Sequence, residues 1–169
     1  GETGLDQTAV NSMEVWGPTY GNMLFDEDVS TNRIGATGEI WNGFFFIVGG
    51  YYHGGAESWS NAIVAFNMSE SREWFSFPLP GLQIPYNHAS FLLENAIYIA
   101  GGVRTGVSKR IYEFGISGRG IGRIQPDLKE PRASFEAVVV PPNSAYFIGG
   151  YNEDNKALAT TSIFSHTRT

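Results

Sequence analysis

Histidine, cysteine, clustered carboxylates and spaced glycines are the residue types through which a chain of this size could do chemistry. The histidines are His53, His88 and His166, far apart and without an H-E-x-x-H or similar spacing, so the sequence points to no metal site. Cysteine is absent, which removes disulfides, thiolate catalysis and thiolate-ligated metals. The redox compartment stays open, because a secreted protein with a sufficient core needs no disulfide. Asp26, Glu27 and Asp28 form an acidic run. A glycosidase needs two carboxylates facing each other across the scissile bond, and no pattern places a second group opposite these, so they read as a solvated loop. The stretch "GISGRGIGR", Gly115 to Arg123, has the spaced glycines of a phosphate cradle but no following helix whose N-terminus could hold an anion. It reads as a turn between strands. The expectation is a protein that is not an enzyme and has no cofactor and no metal.

Composition narrows the partners. The 169 residues carry a net charge of −6 with no basic run, which argues against a phosphate-tracking groove and so against nucleic acid. No apolar run approaches the roughly 20 residues of a membrane-spanning helix. Residues 1–4, "GETG", look like an expression-vector remnant of a secretion system and are set aside. Asn67-Met68-Ser69 is an N-glycosylation sequon after an expected strand. Together these favour a secreted, extracellular glycoprotein, with Asn67 as the glycan acceptor.

The elements that would position any site come from a repeat. "FFFIVGGYY" (Phe44 to Tyr52), "AIYIAGGVR" (Ala96 to Arg104) and "AYFIGGYNE" (Ala145 to Glu153) each stop an apolar run with a glycine pair. Aligned on those pairs, each unit opens with two runs joined by a turn: Trp41-Asn42-Gly43, Glu94-Asn95 and Pro141-Pro142-Asn143-Ser144. Asn-Gly is a strong two-residue hairpin signal because both residues accept positive φ. After each glycine pair a loop leads to a third strand, expected at Ala62 to Phe66, Arg110 to Phe114 and Thr160 to Phe164. A fourth strand is expected at Glu73 to Phe77 and around Gly122 to Gln125. "NSMEVWGP" (Asn11 to Pro18) and "GNMLFDED" (Gly21 to Asp28) read as a third and fourth strand of a partial unit.

Four-stranded units repeating about every 50 residues, with glycine pairs at Gly49-Gly50, Gly101-Gly102 and Gly149-Gly150, third-strand aromatics Phe66, Tyr112 and Phe164, and Trp74 in a fourth strand, resemble the kelch repeat family. The second unit lacks a counterpart of Trp74. The resemblance implies an all-β chain of about three four-stranded antiparallel β-propeller blades, half or a fragment of a ring. Its divisions would be a partial blade over 5–32 and repeats near 33–83, 84–131 and 132–169. It also implies that the Phe44 to Val48 run is an inner strand, buried on both faces, and that loops at one end of the blades meet a ligand. Those loops hold Tyr51, Tyr52, His53, Trp59, Arg104, Tyr151 and Asn152 after the second strands, and Asn32, Arg33, Tyr86, Asn87 and Arg132 before the first. Copper oxidases of related architecture use a cysteine-linked tyrosine, which this chain lacks, and sialidase-type Asp-box turns are absent too.

The function implied is a non-enzymatic protein–protein interaction module, since exposed Tyr, Trp and Arg supply large area or bidentate donors at low ordering cost. The alternative is a carbohydrate-binding or matrix-structural propeller protein, with Tyr51, Tyr52, Trp41 and Trp59 stacking on sugar rings. A protein partner is expected, with glycan as the other option. About three blades cannot close a ring, so a homodimer of half-rings, or association with blades from another chain, is expected to complete one.

Overall fold

The computed structural model describes residues 13–17, 21–25, 33–52, 58–69, 73–118, 120–124 and 126–165. Among these residues all regular structure is antiparallel strand and there is no helix. β1 (Met13–Gly17) pairs with β2 (Gly21–Phe25), where two successive strands are expected from the sequence. β3 (Arg33–Ile34) leads into β4 (Thr37–Trp41), which turns into β5 (Phe44–Val48). β6 (Tyr51–Tyr52) and β7 (Ser58–Trp59) follow the first glycine pair and form a small sheet with β3. β8 (Ala62–Asn67) and β9 (Trp74–Pro78) complete a sheet of order β4-β5-β8-β9.

The pattern then recurs. β10 (Ala89–Leu93), β11 (Ala96–Ala100), β12 (Ile111–Gly115) and β13 (Gly120–Ile124) form a second sheet in that order. β14 (Glu136–Val140), β15 (Ser144–Ile148) and β16 (Thr161–Ser165) form a third. The two-residue hairpin after β4 is the one Asn-Gly dictates: Asn42 and Gly43 sit at φ 46° and 80°, and Trp41 pairs with Phe44.

Side chains stitch the sheets together. Phe46, Val48 and Ile63 of the first sheet pack on Ile97, Ile99 and Phe114 of the second. Phe91 and Tyr98 of the second pack on Phe147 and Phe164 of the third, with ring centroids 5.4 to 5.6 Å apart. Each such side chain, taken from water, stabilises by about 1.5–3 kcal/mol, so the sheets hold one another through these faces. The strands that lie side by side across the three sheets are β4, β10 and β14. Phe44 to Val48 is therefore the second strand of its sheet and not the one nearest its neighbours, and it is not buried on both faces as expected: Phe46 and Val48 are buried against the second sheet, whereas Phe45 and Ile47 on the other face are half-buried.

Each two residues before its unit's first strand, Gly35, Asn87 and Ser134 are equivalent, and all three have positive φ: 65°, 53° and 50°. Their backbones form a relay between units, the N–H of Ser134 donating to the Asn87 carbonyl at 2.8 Å and the N–H of Asn87 to the Gly35 carbonyl at 2.9 Å. The repeat seen in sequence is thus a repeat of inter-sheet geometry as well.

Candidate functional site

Each glycine pair ends a second strand with both residues at positive φ: 63° and 93°, 66° and 87°, 71° and 88°. This turns the chain out of the large sheet into a short three-segment ladder. In the first unit Ile34 pairs with Tyr51 and Tyr51 with Trp59; in the second Tyr86 bridges Val103 and Val103 bridges Val107; in the third Ala133 bridges Tyr151 and Tyr151 bridges Ala157. These ladders gather most of the expected ligand residues at one end of the sheets.

Two of them meet across units. The rings of Tyr51 and Tyr86 have centroids 5.9 Å apart, tilted by 47°, and both residues are half-buried. Arg33 pairs in register with Tyr52. Arg104 stands exposed on the tight turn closed by its N–H to the Gly106 carbonyl at 3.1 Å. Asn152 shapes its own loop, its Oδ1 accepting from the N–H groups of Asp154 and Lys156 at 3.1 and 3.0 Å. Asn87 holds its positive φ against Gly35, where any Cβ would collide with the Asn87 side chain. Asn32 and His53 lie outside the described residues.

Arg132 departs from the expectation of a ligand-facing donor. Its side chain is 0% exposed. Nη1 donates to the carbonyls of Phe147, Gly149 and Thr160 at 3.1 to 3.3 Å, and Nη2 to Glu130, the Thr160 hydroxyl and the Ser162 hydroxyl. Its guanidinium carbon lies 5.7 Å from the Phe135 ring centroid. Burying a guanidinium is costly unless it is hydrogen-bonded, and here Nη1 and Nη2 fasten the chain entering β14 onto β15 and β16, while the buried Nε has no hydrogen-bond partner. Arg33 does the same in the first unit, its Nη1 donating to the carbonyls of Gly49 and Ala62 at 3.1 and 3.2 Å. The second unit has Pro85 at this position. Both arginines are structural ties.

A second feature was not among the expected site residues. A cavity of about 570 Å³ opens where β4, β10 and β14 converge, lined by Glu39, His88, Ser90, Phe91, Phe135 and Glu136 among others. Glu39 accepts a 2.6 Å bond from the Ser90 hydroxyl. Burial holds its carboxyl above the usual range, aided by the charge of Glu136 and opposed by the Ser90 bond. His88 is buried, and desolvation pulls its imidazole down to about 4 against the opposing effect of its bond to Pro85. The neutral ring donates from Nδ1 to the Pro85 carbonyl at 2.8 Å, leaving Nε2 to accept the Thr37 hydroxyl at 2.8 Å. It is a tie between two units rather than a ligand. Glu39 and Glu136 stand one in each of two units, so nothing in the linear pattern announces their approach.

No protein-family model and no curated protein matches this chain. Among the described residues no group of three or more His, Asp or Glu is placed to hold a metal ion. No helix of the described residues is long and apolar enough to cross a membrane.

Proposed function

We propose that this chain is a segment of a kelch-type β-propeller, secreted, that acts as a non-enzymatic protein-binding module through the loop end of its sheets. The observation that carries the reading is the Tyr51–Tyr86 pair: two amphipathic rings from different units, 5.9 Å apart and each partly open to solvent. Arg104 and Tyr151 belong to neighbouring ladders at the same end. Partly exposed aromatic rings and exposed guanidinium groups are the residue types that carry binding energy at protein interfaces. Support for the propeller comes from the adjacency of β4, β10 and β14 and from the equivalent φ angles of the three glycine pairs. In a ring of blades the first strands gather at the axis and the glycine-pair loops share one face.

The test is a binding screen of the secreted chain against arrays of extracellular proteins and of glycans, repeated with Tyr86→Ala and Arg104→Glu. A protein ligand lost in both variants supports the module. Binding confined to glycans selects the carbohydrate-binding alternative. Protein binding unaffected by either change removes the loop end from the site.

A further inference from the structure

One face of the first sheet packs on the second sheet, and a corner of that face stays open although its cover is in place. Phe46, Ile63 and Ala65 are buried there, and Phe77 packs on Phe114 of the second sheet with ring centroids 5.8 Å apart. Phe75, on the edge strand β9, is 39% exposed. Its ring meets that of half-buried Phe44 edge to face, with centroids 6.1 Å apart. The contact between the two sheets therefore leaves an aromatic pair partly in water, at a corner that no further sheet of the same kind is positioned to reach.

Strand register names the residue beside this pair. Residues directly opposite one another in an antiparallel ladder share a face, so Phe44 and Asn67 project on the same side as the opposed Phe46, Ala65 and Phe75. Asn67 is thus the cross-strand neighbour of Phe44 and the diagonal neighbour of Phe75, both within reach of a long or aromatic group. It is also the acceptor position of the Asn67-Met68-Ser69 sequon. Met68 and Ser69 are exposed, and the Ser69 N–H donates to Asn67 Oδ1 at 3.0 Å as the chain leaves β8. That bond engages Oδ1 and not Nδ2, the atom to which a glycan is joined.

We propose that Asn67 carries an N-glycan whose first N-acetylglucosamine rests on the Phe44–Phe75 pair. In the transfer Nδ2 bonds to C1 of that sugar, the bond from C1 to the diphosphate of a lipid-linked oligosaccharide breaks, the diphosphate leaves with the electron pair, and Nδ2 gives up one proton. The axial C–H groups on one face of the pyranose then meet the electron-rich face of an aromatic ring, a contact favoured by apolar burial and by the ring quadrupole. The direction also suits the loop end. β5 runs from the Asn42-Gly43 turn to the first glycine pair, and the Met68 N–H donates to the Gly43 carbonyl at 2.9 Å. The glycan therefore leaves from the end of the sheet opposite Tyr51 and Tyr86, covering exposed rings without obstructing that pair.

This inference rests on the secreted reading, and the experiment separates the two. The chain is expressed in a secretory cell line that attaches high-mannose glycans, trimmed with an endoglycosidase to a single N-acetylglucosamine, and compared by thermal melt with Ser69→Ala, which keeps Asn67 but removes the sequon. The same comparison is made in a Phe75→Ala background, where the effect of Ser69→Ala itself cancels. The expected result is occupancy of Asn67, a melting temperature about 2–4 °C higher for the sugar-bearing chain, and loss of that increment when Phe75 is replaced. Proton NMR of the trimmed chain should show sugar protons moved upfield by the ring current, a shift that Phe75→Ala removes and that a purely structural role of Phe75 would not produce. Sugar protons at their free-solution positions, or an undiminished increment in Phe75→Ala, overturn the contact and leave the secreted reading standing. Unmodified Asn67 overturns both.

Discussion

Arg33 and Arg132, 99 positions apart in the numbering, make the same bond: each sends Nη1 to the carbonyl of the first glycine of its unit's pair, Gly49 or Gly149, at 3.1 Å. Each also reaches the residue just before or at the start of the third strand, Ala62 or Thr160. An arginine before the first strand is therefore a device for fixing where the glycine pair turns. Only its planar fork can address several carbonyls at once.

Arg132→Ala is expected to destabilise the fold by about 3–5 kcal/mol, because it strips buried carbonyls and the half-buried Glu130 of their partner. Arg132→Lys recovers little, since an ammonium cannot span the same acceptors. Chemical denaturation of both variants checks this, and a loss under about 1 kcal/mol would refute the structural role.

The glycine pairs are expected to differ in tolerance. Gly101→Ala meets both a strained φ of 66° and a collision with Arg132 and Phe135 from the neighbouring unit. Gly149→Ala meets a φ of 71° with ordinary contact only. The strain alone costs about 1–2 kcal/mol, and the collision adds to it at Gly101. Thermal melts should rank Gly101→Ala well below Gly149→Ala; equal melting points would discard the close approach of the units.

His88 makes stability depend on pH with a definite sign. Its imidazole titrates near 4 in the fold and near 6.5 when unfolded, so acidification protonates the unfolded chain first. The fold loses stability as pH falls from about 6.5 towards 4, by up to roughly 3 kcal/mol at about 1.4 kcal/mol per unit. His88→Gln should flatten this part of the stability profile measured by urea titration. An unchanged slope in the variant would show that another group carries it.

Asn67 ends β8, half-buried, and its Oδ1 accepts the Ser69 N–H at 3.0 Å while Met68 beside it is 45% exposed. Expression through a secretory pathway is expected to place one N-glycan there, read as a mass shift that Asn67→Gln abolishes. Unmodified Asn67 throughout such material would count against the extracellular reading.

Strand content and turn position were legible in the sequence because they rest on local chemistry. Asn42-Gly43 accepts the positive φ of a two-residue hairpin, apolar runs flank each turn, and each glycine pair announces a backbone that must leave its sheet. The third strands lie within a residue of where the pattern puts them, at Ala62–Asn67, Ile111–Gly115 and Thr161–Ser165. The first hairpin of each sheet was equally readable, since a short turn forces its two strands to pair, whereas the pairing of second with third strands spans longer loops and was implied by the kelch resemblance. What the sequence could not assign was direction across the sheets. Arg104 and Arg132 look alike in a chain of letters, yet one is exposed and the other lies at 0% exposure among carbonyls contributed by residues 15 to 28 positions away. Glu39 and Glu136 share a cavity only because β4, β10 and β14 come side by side, a relation that no spacing encodes. Local torsional preference is written residue by residue, whereas burial and electrostatic environment are sums over neighbours that only the packed chain brings together.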